Sequence, residues 1–212
     1  MVYYSQSGQD TFLNDTVFKG HLNGTFCDVG AHNGVTFNNT LFFEKEHNWT
    51  GINVEPIKTV YDELIVNRPN CTNLNLAVCN SDGTAEFICN TGWTEMLSGL
   101  KSEYDPRHSN RLNNEIKQHG GTTNVISVNT KKLETIFSDS GVTNINYLSI
   151  DVEGGEYEVI KSINFEKVFI DVIGFENNYG DVTITKYLEG KNYKVLLKSN
   201  DIFMIHNNSV FN

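Results

Sequence analysis

Residues 26–37 read FCDVGAHNGVTF. The first four suit a buried strand, Gly30 and Gly34 mark a turn, and helical character begins near Thr36. A strand that empties into a glycine turn and a helix is how open α/β sheets build a nucleotide-type pocket at their carboxyl edge. Working outward, short apolar runs recur at 25–29, 51–54, 74–78, 145–150 and 168–173. Continuous apolarity is expected of parallel strands covered on both faces. Residues 36–47, 57–67 and 156–163 read as crossover helices between them. The β-α-β-α-β order predicts an α/β, doubly wound, mostly parallel sheet.

Two segments depart from this alternation. Residues 193–197 and 201–205 are apolar runs separated by Lys198-Ser199-Asn200, which predicts an antiparallel C-terminal hairpin. Earlier, residues 86–90 resemble an extra strand, 92–100 a loop, and Asp105-Pro106 an N-cap with proline at the first helical position. That helix should end at Gly120-Gly121, with Leu112 and Ile116 inward and Arg111 paired with Glu115. An insertion over about 92–121 beside a cofactor sheet is either a substrate-binding lid or a surface decoration.

With 212 residues the chain fits a single domain, 1–212, large enough for a full core. The formal net charge of −10 opposes nucleic-acid binding, which relies on clustered Lys and Arg. No apolar run reaches membrane-span length, and the first ten residues lack signal-peptide order, so a cytoplasmic location is expected. Cys27, Cys71, Cys79 and Cys89 form no CxxC pair and are expected to be reduced thiols.

Chemistry concentrates in four places. In Asp28-Val29-Gly30-Ala31-His32-Asn33-Gly34 the glycines are four apart, and His32 stands where a dinucleotide site needs a middle glycine. An acid at the strand end favours a cationic amine over a phosphate, which points to S-adenosylmethionine. Glu55 ends the next strand about 25 residues after Gly30, where a carboxylate can accept both ribose hydroxyls; alone it could equally be a helix N-terminal acid. Asp151 and Glu153, two apart past a strand end, can converge. Two close carboxylates raise a pKa or recruit a cation, and either outcome suits activation of a hydroxyl, although one of them could instead cap a helix. Finally, Glu176, Asn177, Asn178 and Tyr179 offer hydrogen bonds to a polyhydroxylated substrate at the same sheet edge.

Together with Gly8-Gln9-Asp10, Asn39-Thr40, Asn75-Leu76-Ala77-Val78 and Met96-Leu97-Ser98-Gly99-Leu100, these motifs resemble the FkbM family of S-adenosylmethionine-dependent O-methyltransferases over about residues 7–205. The resemblance implies a seven-stranded Rossmann-like methyltransferase sheet. It implies that Asp28, Gly30 and His32 line the methionine end of the cofactor, with Gly34 among the cofactor-binding residues. Glu55 would bind the ribose, Ala77 would flank the adenine, Gln9 and Asp10 would lie at the entrance, and Asp151 would lie by the reactive methyl. Asn53 departs from the apolar or cysteine residue usual in its strand and needs a partner if buried.

The expected reaction is methyl transfer to a sugar or glycan hydroxyl, with a polyketide-like hydroxyl or a non-catalytic binding module as alternatives and a nicotinamide oxidoreductase as a further rival. Asp151, Glu153 and Glu176 are the candidate bases, with His32 and His108 as rivals. Asp151 and Glu153 could hold Mg or Mn. Ser98, His108, Asn177 and Tyr179 are candidate acceptor contacts.

Overall fold

The computed structural model describes all 212 residues. In chain order the strands are β1 (Thr25–Val29), β2 (Thr50–Val54), β3 (Thr72–Leu74), β4 (Ala77–Val78), β5 (Gly83–Asn90), β6 (Gly99–Leu100), β7 (Thr123–Lys131), β8 (Asn144–Ile150), β9 (Phe169–Glu176), β10 (Tyr193–Lys198) and β11 (Asp201–His206). The α-helices are α1 (Gln9–Phe12), α2 (Leu41–His47), α3 (Lys58–Asn67), α4 (Pro106–His119), α5 (Leu133–Asp139), α6 (Glu156–Lys161) and α7 (Thr183–Glu189). A π-helical segment, Leu13–Phe18, continues α1.

Seven strands form the main sheet in the order β3-β2-β1-β8-β9-β11-β10. All neighbours are parallel except β11, which runs antiparallel to both β9 and β10, as the C-terminal hairpin predicted. One face buries a 23-residue cluster that includes Val29, Ile52, Leu148 and Ile173 with Leu133 and Ile136 of α5 and Val159 and Ile160 of α6. The other face buries Phe26, Tyr147 and Phe203 beneath Phe42 and Phe43 of α2 and Leu13, Val17 and Phe18. Helices on both faces explain why β1, β8 and β9 carry almost no polar residues toward solvent.

Three expectations change. The helix expected over 36–47 begins only at Leu41, because the Asn38 side chain accepts the backbone N–H groups of Thr40 and Leu41 and starts the helix there. The strand expected over 74–78 splits into β3 and β4, which join different sheets. Between them Asn75 turns inward and donates to the carbonyls of Glu55 and Pro56, at 2.9 and 3.0 Å. The third change is a second sheet, β4-β7-β5-β6. Its strand β7, TNVISVNTK, is mostly polar and is not among the strands expected from the sequence, nor is α5 after it among the expected helices. β5 and β7 pair antiparallel from Gly83↔Thr130 to Asn90↔Thr123, so the inserted segment is the long connection at a hairpin tip. Within it, Asp105 accepts the N–H of Arg107, α4 stops at Gly120, and Leu112 is buried while Ile116 is half-buried.

Asn53 is fully buried and donates to Asn73 across β2 and β3 at 2.9 Å, leaving its own carbonyl oxygen without a partner. All four cysteines are free, and no helix is long and apolar enough to cross a membrane.

Candidate active site

A cavity of about 200 Å³ opens where β1, β2, β8 and β9 end, roofed by the inserted segment. The turn after β1 is anchored on β2: the N–H groups of Gly30 and Ala31 both donate to the Val54 carbonyl at 3.0 Å. Gly30 has φ +89°, and a Cβ there would lie 1.8 Å from the Asp151 carbonyl oxygen. Glycine is therefore required because the end of β8 crosses directly over the turn. Gly34 has another reason. A Cβ there would meet Arg68 Cγ at 2.6 Å and Leu64 Cδ1 at 2.7 Å, and Gly34 does not line the cavity.

At one end of the cavity Ile57, Leu76, Ala77, Val78, Phe87 and Leu100 form an apolar wall suited to a flat heterocycle. Next to it is Glu55, whose carboxylate accepts the N–H of Ile57 at 2.7 Å. Burial raises its pKa to about 7, opposed by amide hydrogen bonds from Ile57 and His32. Farther along lies Asp28, buried and accepting from Asn38 Nδ2 and Thr40 Oγ1, each at 2.9 Å. Beside it Asn39 lines the cavity with a buried carbonyl oxygen that has no partner. A carboxylate and an orphaned acceptor together fit a group that only donates, such as an ammonium. The apolar wall, the Glu55 carboxylate and the Asp28 and Asn39 acceptor pair thus follow one another along the cavity.

The acidic cluster lies beyond. Ile150 of β8 is in register with Phe175 of β9, so Asp151 and Glu176 emerge side by side. Glu153 joins them through a backbone turn at φ +57°, and one carboxylate oxygen from each of the three lies within 4.8 Å of the others. Neither Asp151 nor Glu153 caps α6, which has no side-chain cap; Glu156 Oε1 instead accepts the N–H of Gly154 at 3.1 Å and braces the turn before the helix. Enclosure, then the neighbouring Glu176 and Glu156 carboxylates, holds Asp151 well above its ordinary range, though its side chain remains accessible through the cavity. Burial and the Asp151 charge push Glu153 up to about 9. Burial also raises Glu176.

Two contributors were not singled out from sequence as site residues. Arg111 of α4 lines the cavity, with Nη1 3.9 Å from Glu153 Oε2. Glu95, in the 3₁₀ turn Gly92–Leu97, meets His32 Nε2 at 3.0 Å and ties the inserted segment to the β1 turn. Neither has a local sequence signal, because each reaches the site only through the folded hairpin connection.

Gln9, Asp28, Gly30, His32, Glu55, Ala77, Ser98, Asp151, Glu153 and Glu176 all line the cavity; several expected residues do not. Asp10 is turned away and fully buried, accepting from Tyr4 and Ser5 of the N-terminal segment. His108 is buried and does not line the cavity: Nε2 donates to the Leu97 carbonyl at 3.1 Å, and Nδ1 faces Glu153 Oε2 at 3.3 Å. Asn177 exchanges hydrogen bonds with Asp181, and Tyr179 lies under the Arg107 guanidinium at 4.0 Å, both outside the cavity. The strand before them runs to Glu176, three residues past the expected end, and the chain then turns outward. The Ser98 hydroxyl is already engaged by the Asn90 N–H and the Glu95 carbonyl.

Residues 28–195 match the model of the Methyltransferase FkbM domain. Among solved structures, similarity extends to an FkbM methyltransferase from Methylobacillus flagellatus, at 11% identity and TM-score 0.48 over 87% of this chain; the chain spans 44% of that protein. TrmK of M. capricolum, solved with its cofactor product S-adenosyl-homocysteine, gives 7% identity and TM-score 0.50 over 98% of this chain and 70% of the other. Precorrin-6y C5,15-methyltransferase of Geobacter metallireducens gives 10% identity and TM-score 0.50 over 96% and 88%. No curated protein matches in sequence. At these identities the likenesses to the M. capricolum and Geobacter metallireducens structures establish the fold alone, that of Rossmann-like methyltransferases.

Proposed function

The chain belongs to the FkbM family of S-adenosylmethionine-dependent methyltransferases, and on that premise we propose that it methylates a hydroxyl of a sugar or glycan. The observation that carries this reading is the convergence of Asp151, Glu153 and Glu176 at the end of the cavity farthest from its apolar wall. Bound S-adenosylmethionine supplies an electrophilic sulfonium methyl that an acceptor oxygen takes by in-line displacement. Glu55 accepts the ribose hydroxyls, and Asp28 with Asn39 Oδ1 accepts the ammonium. Asp151 takes the proton from the acceptor hydroxyl at its carboxylate oxygen. A base of raised pKa is better matched to a weakly acidic alcohol than an ordinary carboxylate, and a positioned base contributes about 10² to 10⁴ in rate. Glu153 and Glu176 accept hydrogen bonds from the remaining acceptor hydroxyls. The same three carboxylates are hard oxygen donors and would hold Mg or Mn, which would lower the pKa of a bound hydroxyl. With a net charge of −10, a neutral polyhydroxylated acceptor suits the surface better than a nucleic acid.

The test is methyl transfer to a panel of sugars and glycans, with and without a chelator. Asp151→Ala is expected to abolish transfer with cofactor affinity retained, and Glu55→Ala to weaken the cofactor. Full turnover in Asp151→Ala would refute its role as base. Cofactor binding without transfer to any hydroxyl would leave a binding module instead, and loss of activity with chelator would establish the cation.

A further inference from the structure

Arg68 is fully buried, lies at the C-terminal end of α3 and does not line the cavity. We propose that Arg68 is a positioning residue that sets the Asp28 carboxylate against the ammonium group of S-adenosylmethionine. The inference rests on the cofactor reading given above.

The geometry is a relay, in which the Thr40 hydroxyl has Asp28 at 2.9 Å as its shorter acceptor and Asn38 Oδ1 at 3.1 Å. Arg68 Nη1 donates to Asn38 Oδ1 at 3.0 Å and to the Gly34 carbonyl at 3.1 Å, and Nη2 donates to Thr40 Oγ1 at 3.2 Å. A guanidinium only donates, so Asn38 must present its oxygen to Arg68 and its amide NH₂ to Asp28, which it meets at 2.9 Å. The backbone N–H groups of Thr40 and Leu41 fix the same orientation of Asn38. Thr40 Oγ1, occupied as an acceptor from Arg68, turns its one hydrogen to Asp28 at 2.9 Å. Two of the three side-chain donors that hold Asp28, Asn38 and Thr40, are therefore oriented by Arg68, the third being Ser149.

Charge leads to the same assignment. Burial of Asp28 opposes its ionisation, and the Arg68 charge is the largest influence favouring it. Glu44 pairs with Arg68 Nε and also accepts the Cys71 thiol at 3.2 Å. With Asp28 ionised, the two carboxylates and one guanidinium carry one net negative charge in a buried network, which an ammonium at Asp28 would neutralise. Gly34 completes the arrangement, since a side chain there would displace Arg68. The guanidinium also lies over the Phe26 ring at 5.2 Å, which fixes it from the sheet side.

Calorimetric binding of two ligands tests the assignment: S-adenosyl-homocysteine, and 5′-methylthioadenosine, which keeps the nucleoside and lacks the amino-acid end. Arg68→Met is expected to weaken S-adenosyl-homocysteine by about 10- to 100-fold, the range for one charged hydrogen bond, with 5′-methylthioadenosine changed by less than about twofold. Arg68→Lys should restore part of the loss, because the charge returns without the fork. If Arg68→Met does not fold, the pair Arg68→Met with Glu44→Met removes both charges and is read in the same way. Equal affinities to those of the unaltered protein, or equal weakening of both ligands, would overturn the role of Arg68 alone. If the unaltered protein binds neither ligand, the cofactor reading fails and this inference fails with it.

Discussion

Burial makes the Glu55 carboxyl, proposed above to accept the ribose hydroxyls, sensitive to pH. Its pKa of about 7 lies above the ordinary 4.5 because the carboxyl is enclosed. Between those values the folded protein holds a proton that the unfolded chain has released. The contribution of Glu55 to stability is thus fully present below the ordinary value and is lost as pH rises through about 7. Ligand affinity should run the other way, since only the carboxylate accepts from both ribose hydroxyls. S-adenosyl-homocysteine should bind more weakly as pH falls below about 7, approaching tenfold per unit, and Glu55→Gln should remove that component; calorimetry across this range checks it. Gly30 provides a steric test. With its virtual Cβ 1.8 Å from a backbone oxygen, Gly30→Ala should cost about 3 kcal/mol or more in denaturant unfolding. At this scale Asp28, Glu55 and Asp151 were legible because each is an acid at the end of an apolar run. Asp10, His108, Asn177 and Tyr179 do not line the cavity, because proximity in sequence does not say which way a side chain turns.

Among the elements, the inserted connection between β5 and β7 is tied to the turn after β1 through His32. His32 sits in left-handed backbone at φ +51° while its ring reaches Glu95 in that connection. A left-handed residue other than glycine costs about 1 kcal/mol, so the contact is kept against strain. His32→Gly should therefore raise or preserve the melting temperature while cutting the tie. Limited proteolysis should then cleave within residues 91–122 faster than in the unaltered protein, and an unchanged cleavage rate would show that His32 does not hold this connection. The α4 boundaries were readable from Asp105-Pro106 and Gly120, since caps are local signals. β7 was not, because TNVISVNTK has one face toward solvent and carries too few apolar residues to stand out in sequence.

For the whole molecule, the unequal burial of the two sheets implies unequal stability. The main sheet rests on clusters of 23 and 11 buried residues, whereas Ile57, Val60, Ala77, Phe87, Leu100 and Val128 form a cluster of only 6 beneath the second sheet. Amides of β5 and β7 should exchange with solvent faster than those of β1 and β8. Bound S-adenosyl-homocysteine should slow exchange in both sheets, because residues of both line the cavity. Uniform exchange across the two sheets would show that they open as one unit. The sequence by itself determined the doubly wound order, the antiparallel last strand and the acids at strand ends, because those features follow from local periodicity and from where apolar runs stop. Only the tertiary structure decided that Arg68 stands behind Asp28, that Glu176 completes the acidic cluster and that Gly30 clears a path for Asp151. Each of these joins residues far apart in the chain, and their distances are set by strand register and helix packing rather than by any neighbouring residue.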